Sequence, residues 1–148
     1  WNYRRSILQS RFKDMDAGQK TEMIKQELKF LAYEVKENPK SYTLWFHRQW
    51  LLLQSLDIVP QDKYAFVRKD VDLCLKMLSL DERNFHCWNY RQWLLQLMDG
   101  PDPDSEIAFT LKMINKNFSN FSAWNFRAKS LAKKYATYSF EQKLSSIK

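Results

Sequence analysis

The chain has 148 residues, 45% of them hydrophobic and 16% aromatic, which is enough apolar material for one ordinary core. Two glycines and four prolines exclude a turn-rich β protein and leave no glycine-rich phosphate loop. The formal charge of +7 invites nucleic acid, but the lysines are spread along the chain, so we expect a solvated surface and no nucleic-acid partner.

The cysteines and histidines indicate neither a disulfide framework nor a metal site. Cys74 and Cys87 alone favour a reduced, cytoplasmic setting. His86 adjoins Cys87 and no CxxC spacing occurs, so we expect no metal within this chain. No apolar run approaches the ~20 residues that span a bilayer, and we expect no membrane span. Because the chain opens at Trp1 within a motif, we expect a fragment of a longer protein.

One motif occurs four times along the chain. Its pattern is an aromatic residue, two residues, tryptophan, one residue, an aromatic residue or histidine, and arginine. The leading tryptophans are 44, 43 and 36 residues apart, a spacing typical of helical-repeat arrays. The copies lie near residues 1–12, 38–56, 81–98 and 117–135, led by Trp1, Trp45, Trp88 and Trp124.

Segments with helical period separate the motif copies. They predict linking helices from about Ala17 to Glu37, Asp62 to Ser79 and Asp104 to Lys116. The apolar stripes are Ile24, Leu28, Leu31 and Val35 in the first, Val67, Val71, Cys74, Leu75 and Leu78 in the second, and Ile107, Leu111 and Ile114 in the third.

Capping and breaking residues divide these segments. Ser41, Asn84 and Asn120 each stand four residues before a leading tryptophan, where a side chain can cap free backbone N–H groups. We therefore predict eight helical segments, the last beginning near Ser139. The fold class is all-α, an α-α superhelix, that is, a right-handed solenoid of antiparallel helix pairs forming a single helical-repeat domain over 1–148.

The repeated residues have a structural interpretation. We expect the leading tryptophans to form the packing layer between successive helix pairs. A buried guanidinium needs partners, and carbonyls of the preceding turn or an acid on a neighbouring helix would suit its donors. We expect this role for the arginines three residues after Trp45, Trp88 and Trp124, namely Arg48, Arg91 and Arg127.

The pattern N-x-x-W-x-x-R-x-W resembles the repeat of protein prenyltransferase alpha subunits. The segments NPKSYTLWFHRQWLL, DERNFHCWNYRQW and NFSNFSAW are most similar to the Rab geranylgeranyltransferase (type II) form of that family. In the farnesyltransferase form, Asn-Tyr usually replaces Ser41-Tyr42, and Asn-Tyr-His replaces Asn84-Phe85-His86. Alpha subunits of the family usually contain more repeats than this chain.

The resemblance implies a crescent of helical hairpins around a prenyltransferase beta subunit, an α-α barrel that carries the catalytic zinc; no cofactor is expected in this chain. The implied activity transfers geranylgeranyl from geranylgeranyl diphosphate to C-terminal cysteines of Rab-type small GTPases, which an escort protein presents. We expect the isolated chain to be inactive.

The resemblance also assigns site residues. Lys40 matches the lysine that contacts the diphosphate, Tyr42 the tyrosine of the same turn and His86 the histidine of the next turn; catalytic roles fall to Lys40 and His86. Physical chemistry agrees, because a fixed cation stabilises the charge of a leaving diphosphate, and helix N-termini add partial positive charge.

Two alternatives remain open. The first is the alpha subunit shared by farnesyltransferase and type I geranylgeranyltransferase. The second is a non-catalytic tetratricopeptide-like scaffold that binds peptides, although its period is near 34 residues and its signature includes glycine.

Overall fold

The computed structural model describes residues 1–58, 62–98, 100–136 and 142. Within these residues the chain forms seven α-helices and no β-strand, which confirms the all-α prediction. The predicted helix near Ser139 lies outside the described residues. The helices are α1 (Asn2–Lys13), α2 (Ala17–Glu37), α3 (Tyr42–Ile58), α4 (Ala65–Leu80), α5 (Phe85–Leu97), α6 (Pro103–Lys116) and α7 (Phe121–Tyr135).

The helices form antiparallel pairs, each made of a linking helix, a four-residue turn and a motif helix. The pairs are α2 with α3, α4 with α5 and α6 with α7. Helices α1 to α5 belong to one compact unit, Trp1–Met98, and α6 and α7 to a second, Asp99–Lys148. The site residues assigned above all lie in the first unit.

Helix α2 has the bounds that the sequence predicts. Its start is fixed by a capping box, in which the Asp16 carboxylate accepts a hydrogen bond from the Gln19 backbone N–H and the Gln19 side chain accepts one from the Asp16 N–H. The four stripe residues are buried, as predicted: Ile24, Leu28, Leu31 and Val35.

The other two linking stripes are not fully buried, and Val71 and Ile107 are half-buried. Leu75 and Leu111 are exposed, because the buried faces of α4 and α6 turn away from them. Polar residues take part in those faces instead, including Asp70 in α4, and Glu106 and Thr110 in α6. Helix α4 also begins at Ala65, three residues after the predicted start.

Two of the motif helices, α5 and α7, begin at the side-chain caps that the sequence predicts. The Asn84 side chain accepts a hydrogen bond of 3.1 Å from the Cys87 N–H, and the Asn120 side chain accepts the equivalent bond from Ala123. Before α3, the Ser41 hydroxyl lies 3.1 Å from the Thr43 hydroxyl.

The three four-residue turns within the helix pairs are also fastened by the leading tryptophan that follows each of them. The indole N–H of the leading tryptophan donates to the carbonyl six residues earlier, which lies in the turn. Each indole N–H therefore finds a partner, and the turn is held against its own motif helix. The bonds are Trp45 to Pro39 at 3.0 Å, Trp88 to Glu82 at 2.8 Å and Trp124 to Phe118 at 2.8 Å.

Arg48 joins two successive helix pairs through a buried ion pair. From α3 it donates two hydrogen bonds to the Asp70 carboxylate of α4, at 2.9 and 2.5 Å, and one of 2.8 Å to the Leu28 carbonyl of α2. Tyr90 of α5 donates a further bond to Asp70. Burial alone would lower the Arg48 pKa, but Asp70 and Tyr90 outweigh it and raise the pKa above its ordinary value. We call this arrangement the arginine clasp.

A second clasp occurs one repeat earlier. Arg4 of α1 makes a two-point contact with Glu27 of α2, with one bond at 2.6 Å, and His47 Nε2 of α3 lies 3.1 Å from the same carboxylate. In the second unit, Arg127 donates to the Ile107 carbonyl at 2.8 Å, which corresponds to the bond between Arg48 and Leu28. The motif arginine therefore ties its own helix pair together in both units.

The clasp predicts a non-additive response to substitution. Arg48→Met leaves the buried Asp70 carboxylate without its cation, which is expected to cost about 3–5 kcal/mol of unfolding free energy. The triple variant Arg48→Met, Asp70→Leu, Tyr90→Phe leaves no buried polar group of the clasp unpaired, so it should be more stable than the single variant. Urea unfolding measures both. A triple variant no more stable than Arg48→Met would contradict this account.

The earlier clasp predicts a pH dependence. Burial alone would raise the Glu27 pKa, but hydrogen bonds from Arg4 and His47 outweigh it and lower the pKa to about 2. A depressed pKa stabilises the fold above the ordinary glutamate pKa, and the contribution disappears as pH falls toward 2. When the pH is lowered from 5 to 2, the Glu27→Gln variant should lose about 1–2 kcal/mol less unfolding free energy than the wild-type protein. This range allows for solvent screening of the exposed Arg4. As a control, Glu37→Gln at an exposed position should keep the wild-type dependence of unfolding free energy on pH.

Candidate functional site

The turns before α3 and α5 are hydrogen-bonded to each other. The Asn84 side-chain amide donates to the Pro39 carbonyl at 3.0 Å, the same oxygen that accepts the Trp45 indole bond. Asn84 therefore caps its own helix with its oxygen and holds the neighbouring turn with its nitrogen. Because Lys40 follows Pro39 directly, its backbone is fixed at one edge of the site.

Lys40 presents an uncommitted cation at that edge. Its side chain is exposed, and among the described residues its ammonium group has no ion-pair partner. It lies two residues before the first residue of α3, so the partial positive charge of the helix N-terminus is nearby. An anion at this position would interact with the Lys40 ammonium group and with the N-terminus of α3.

Tyr42 and His86 line a common groove of about 150 Å³ between α3 and α5. Lys40 is not among the lining residues and stands at the preceding turn. The structure therefore brings Tyr42 and His86 together, and Lys40 stands two residues before Tyr42 in the chain. The lining consists of Tyr42, Trp45, Phe46, Gln49, His86, Asn89 and Tyr90.

The groove is aromatic and carries no fixed charge on its lining side chains. The His86 ring centroid lies 4.0 Å from that of Phe85, and burial lowers the His86 pKa below its ordinary value. His86 is therefore neutral at neutral pH, with one ring nitrogen able to donate a hydrogen bond. Tyr42 and Phe46 make an edge-to-face contact at 5.9 Å, and each is more than half exposed.

A second groove extends this surface towards α1. It has a volume of about 520 Å³ and shares Tyr42, Phe46 and Gln49 with the first. Arg5 also lines it, with its guanidinium 5.4 Å from the centre of the Trp50 ring. We call the two grooves together the motif face, since their lining residues come from the motif helices α1, α3 and α5 and from Trp1.

The leading tryptophans differ in burial. Trp45 and Trp88 are 4% and 1% exposed, whereas Trp124 is 42% exposed although it keeps its indole bond to the turn. Trp1 is 38% exposed.

The motif arginine Arg91 is buried, as Arg48 is. The turn carbonyls bind the tryptophans, and the carbonyls that bind Arg48 and Arg127 belong to the paired linking helix.

Sequence analysis expected an acid on a neighbouring helix as a partner of the arginines but did not identify it; Glu27 bonds Arg4 and Asp70 bonds Arg48. Glu27, Asp70 and Glu106 each stand 11 residues before the first residue of a turn, at 38, 81 and 117, and all three are buried. A signal was present, because a carboxylate recurs at this position beside an apolar stripe in all three linking helices. Aligning the chain on its turns rather than on its tryptophans reveals it.

Two further features of the described residues concern metal binding and membrane spanning. No group of three His, Cys, Asp or Glu side chains that could hold a metal ion occurs in the part of the chain that the structure describes. None of the described helices has the length and apolar character needed to cross a bilayer.

The chain is similar to curated proteins named geranylgeranyl transferase type-2 subunit alpha. The identity is 40% over 128 residues with that of Bos taurus, covering 86% of this chain and 21% of the relative. It is 36% with that of Candida albicans, covering 67% and 26%, and 41% with that of Dictyostelium discoideum, covering 65% and 29%. The chain thus spans between a fifth and three tenths of these relatives.

A family model also matches the helix pairs. The protein prenyltransferase alpha subunit repeat matches at residues 24–55, 67–98 and 103–133. Each match begins within a linking helix and ends in the motif helix that follows, or one residue after it in the second match, so the limits agree with the pairing seen in the structure. The match supports the predicted α-α superhelix. By its sequence, its repeat and its helix pairing, the chain belongs to the protein prenyltransferase alpha subunit repeat family.

Proposed function

We propose that this chain is part of the alpha subunit of a type-2 protein geranylgeranyltransferase. The enzyme would transfer geranylgeranyl from geranylgeranyl diphosphate to C-terminal cysteines of Rab-type small GTPases, presented by an escort protein, in the cytoplasm. The observation that carries this proposal is the similarity to the type-2 alpha subunits of Bos taurus, Candida albicans and Dictyostelium discoideum, together with the family match in all three helix pairs.

The composition of the motif face supports contact with a partner protein. Part of its aromatic lining is exposed, including Tyr42 and Phe46, and an aromatic surface of this kind suits contact with another protein chain. We assign this partner as the beta subunit. The beta subunit would supply the zinc ion, which holds the acceptor cysteine as a reactive thiolate.

Lys40 would serve the departing diphosphate. When the bond between isoprenoid carbon and diphosphate oxygen breaks, negative charge grows on the leaving oxygen. A cation already held in place lowers that barrier without reorganising. The Pro39 carbonyl, fixed by Trp45 and Asn84, supports such positioning because the backbone next to Lys40 is held on two sides. The exposed Lys40 side chain is then free to reach an anion from a partner-bound substrate.

His86 and Tyr42 would complete the contact with the diphosphate. A neutral His86 donates a hydrogen bond without adding a charge that must be removed from water. Tyr42 offers a phenolic hydroxyl on the other side of the same groove. The equivalent of Tyr42 in the next repeat is Phe85, which has no hydroxyl, so a hydroxyl-dependent contact is available only at the first of the two turns.

Reconstitution tests the assignment. Coexpressed with a type-2 beta subunit, the protein is expected to form a zinc-containing heterodimer that transfers geranylgeranyl to a Rab-type acceptor when escort protein is present. The partner-free protein should give no turnover, and its turnover would contradict the proposal. Pairing instead with a farnesyltransferase beta subunit, with transfer of farnesyl, would establish the shared alpha subunit.

Lys40→Ala in the assembled enzyme tests the diphosphate contact. Loss of one preorganised donor is expected to lower kcat about 10²–10³-fold while acceptor KM and heterodimer yield change little. Lys40→Arg should recover part of the rate, since its planar fork does not replace a point charge. Lys13→Ala, at the exposed end of α1, serves as the matched control and should leave kcat unchanged. A normal single-turnover rate for Lys40→Ala would refute the catalytic assignment of Lys40.

A further inference from the structure

A groove of different composition lies on the linking helices, away from the residues of the motif face. A cavity of about 350 Å³ lies between α2 and α4 and shares no lining residue with the two motif-face grooves. Five lysines line it. They are Lys25, Lys29 and Lys36 from α2, and Lys69 and Lys76 from α4. We call this cavity the lysine groove.

Helical geometry collects these lysines from distant parts of the sequence. On α2 they stand at positions i, i+4 and i+11, and on α4 at i and i+7, so each set follows one side of its helix. All five side chains are exposed. The groove therefore concentrates five of the chain's 24 basic residues along one channel, although no run of lysines appears in the sequence.

Little negative charge lies near the five lysines of this groove. Asp70 is the acidic side chain that lines the groove, and it is buried and bound to Arg48 and Tyr90. Lys25 forms an exposed ion pair with Glu22 at 3.3 Å. The ammonium groups of the other four lysines have no ion-pair partner among the described residues.

The floor of the groove is apolar and its walls are tied together. Leu28 and Ala32 of α2, with Phe66 and Leu73 of α4, form the floor. Arg48 lies beneath and bonds both walls, through the Leu28 carbonyl and the Asp70 carboxylate. The spacing of the two helices is therefore set before any ligand arrives, which lowers the cost of binding.

We propose that the lysine groove docks an acidic amphipathic helix from a protein partner. The apolar side of such a helix would fill the floor, and its Glu and Asp residues would face the two lysine rows. From Lys25 to Lys36 the α2 row extends over about 16 Å, the length of three helical turns. This inference does not depend on the proposed lipid transfer, because it concerns other residues and another kind of ligand.

Other polyanions fit the groove less well. Single-stranded nucleic acid binds through exposed aromatic platforms and free arginines, but here Phe66 is 8% exposed and Arg48 is committed to Asp70. A membrane surface is bound by apolar side chains that protrude, whereas these lie recessed between two helices. Charge together with a recessed apolar floor favours the acidic helix.

The test uses the full chain and a fluorescein-labelled peptide of about 15 residues, with leucines at helical spacing flanked by glutamates. Fluorescence anisotropy should show binding that weakens with added salt. Lys29→Glu/Lys69→Glu should raise Kd at least about tenfold, since each reversal turns an attraction into a repulsion. Ala32→Trp should cause a similar loss without changing charge, because it fills the floor. Circular dichroism confirms that the variants remain folded.

A matched double reversal separates the groove from general charge. Lys13→Glu/Lys112→Glu alters the net charge by the same amount at exposed positions outside the groove and should leave Kd within about twofold. The proposal fails if groove and control variants bind equally. It also fails if a scrambled peptide of the same composition binds as tightly. Tighter groove-dependent binding of single-stranded RNA or phosphatidylserine vesicles would likewise overturn it.

Discussion

The buried contact between a motif arginine and a carboxylate of the next helix pair is the constraint on which the first unit depends. A guanidinium at the depth of Arg48 is tolerated only when its donors are used, so Asp70 and the Leu28 carbonyl must stay within hydrogen-bond distance. These two groups belong to different helix pairs. Apolar packing alone would allow the pairs to slide, but a two-point ion pair has one register. Both neighbouring turns are thereby set side by side.

The turns inherit that order and divide structural from functional positions. The indole of the leading tryptophan and the side chain of the cap asparagine hold a turn in place through hydrogen bonds, whichever residues fill the other positions of the turn. The residue before the cap position is Lys40 in one turn, Arg83 in the next and Ser119 in the third. Such positions can change without loss of the clasp or the cap. A repeat protein can thus vary chemistry at its turns while its packing residues recur.

The sequence predicts those parts of the molecule that follow from short-range patterns. Helix α2 matches its predicted bounds because one capping box and one regular stripe agree. Leu75 and Leu111 depart from prediction because a stripe shows which residues are apolar, not which side the neighbouring helices cover. The pairing of Arg48 with Asp70 spans 22 residues and two helix pairs, so period alone cannot reveal it. For the same reason, the spread of the lysines conceals the groove that they form.

Arg48 connects the motif face and the lysine groove, the two surfaces that we assign to binding. The connection favours a fixed arrangement of the two surfaces over a conformational switch between them. Its backbone belongs to α3, three residues after Trp45, which lines the motif-face groove. Its guanidinium lies under the lysine groove and is held by three hydrogen bonds. A switch needs an element with two arrangements of similar free energy, but releasing this guanidinium would leave a buried charge unpaired. A partner bound in the lysine groove would therefore be held at a fixed position relative to the motif face, and its effect would come from proximity rather than from a conformational change.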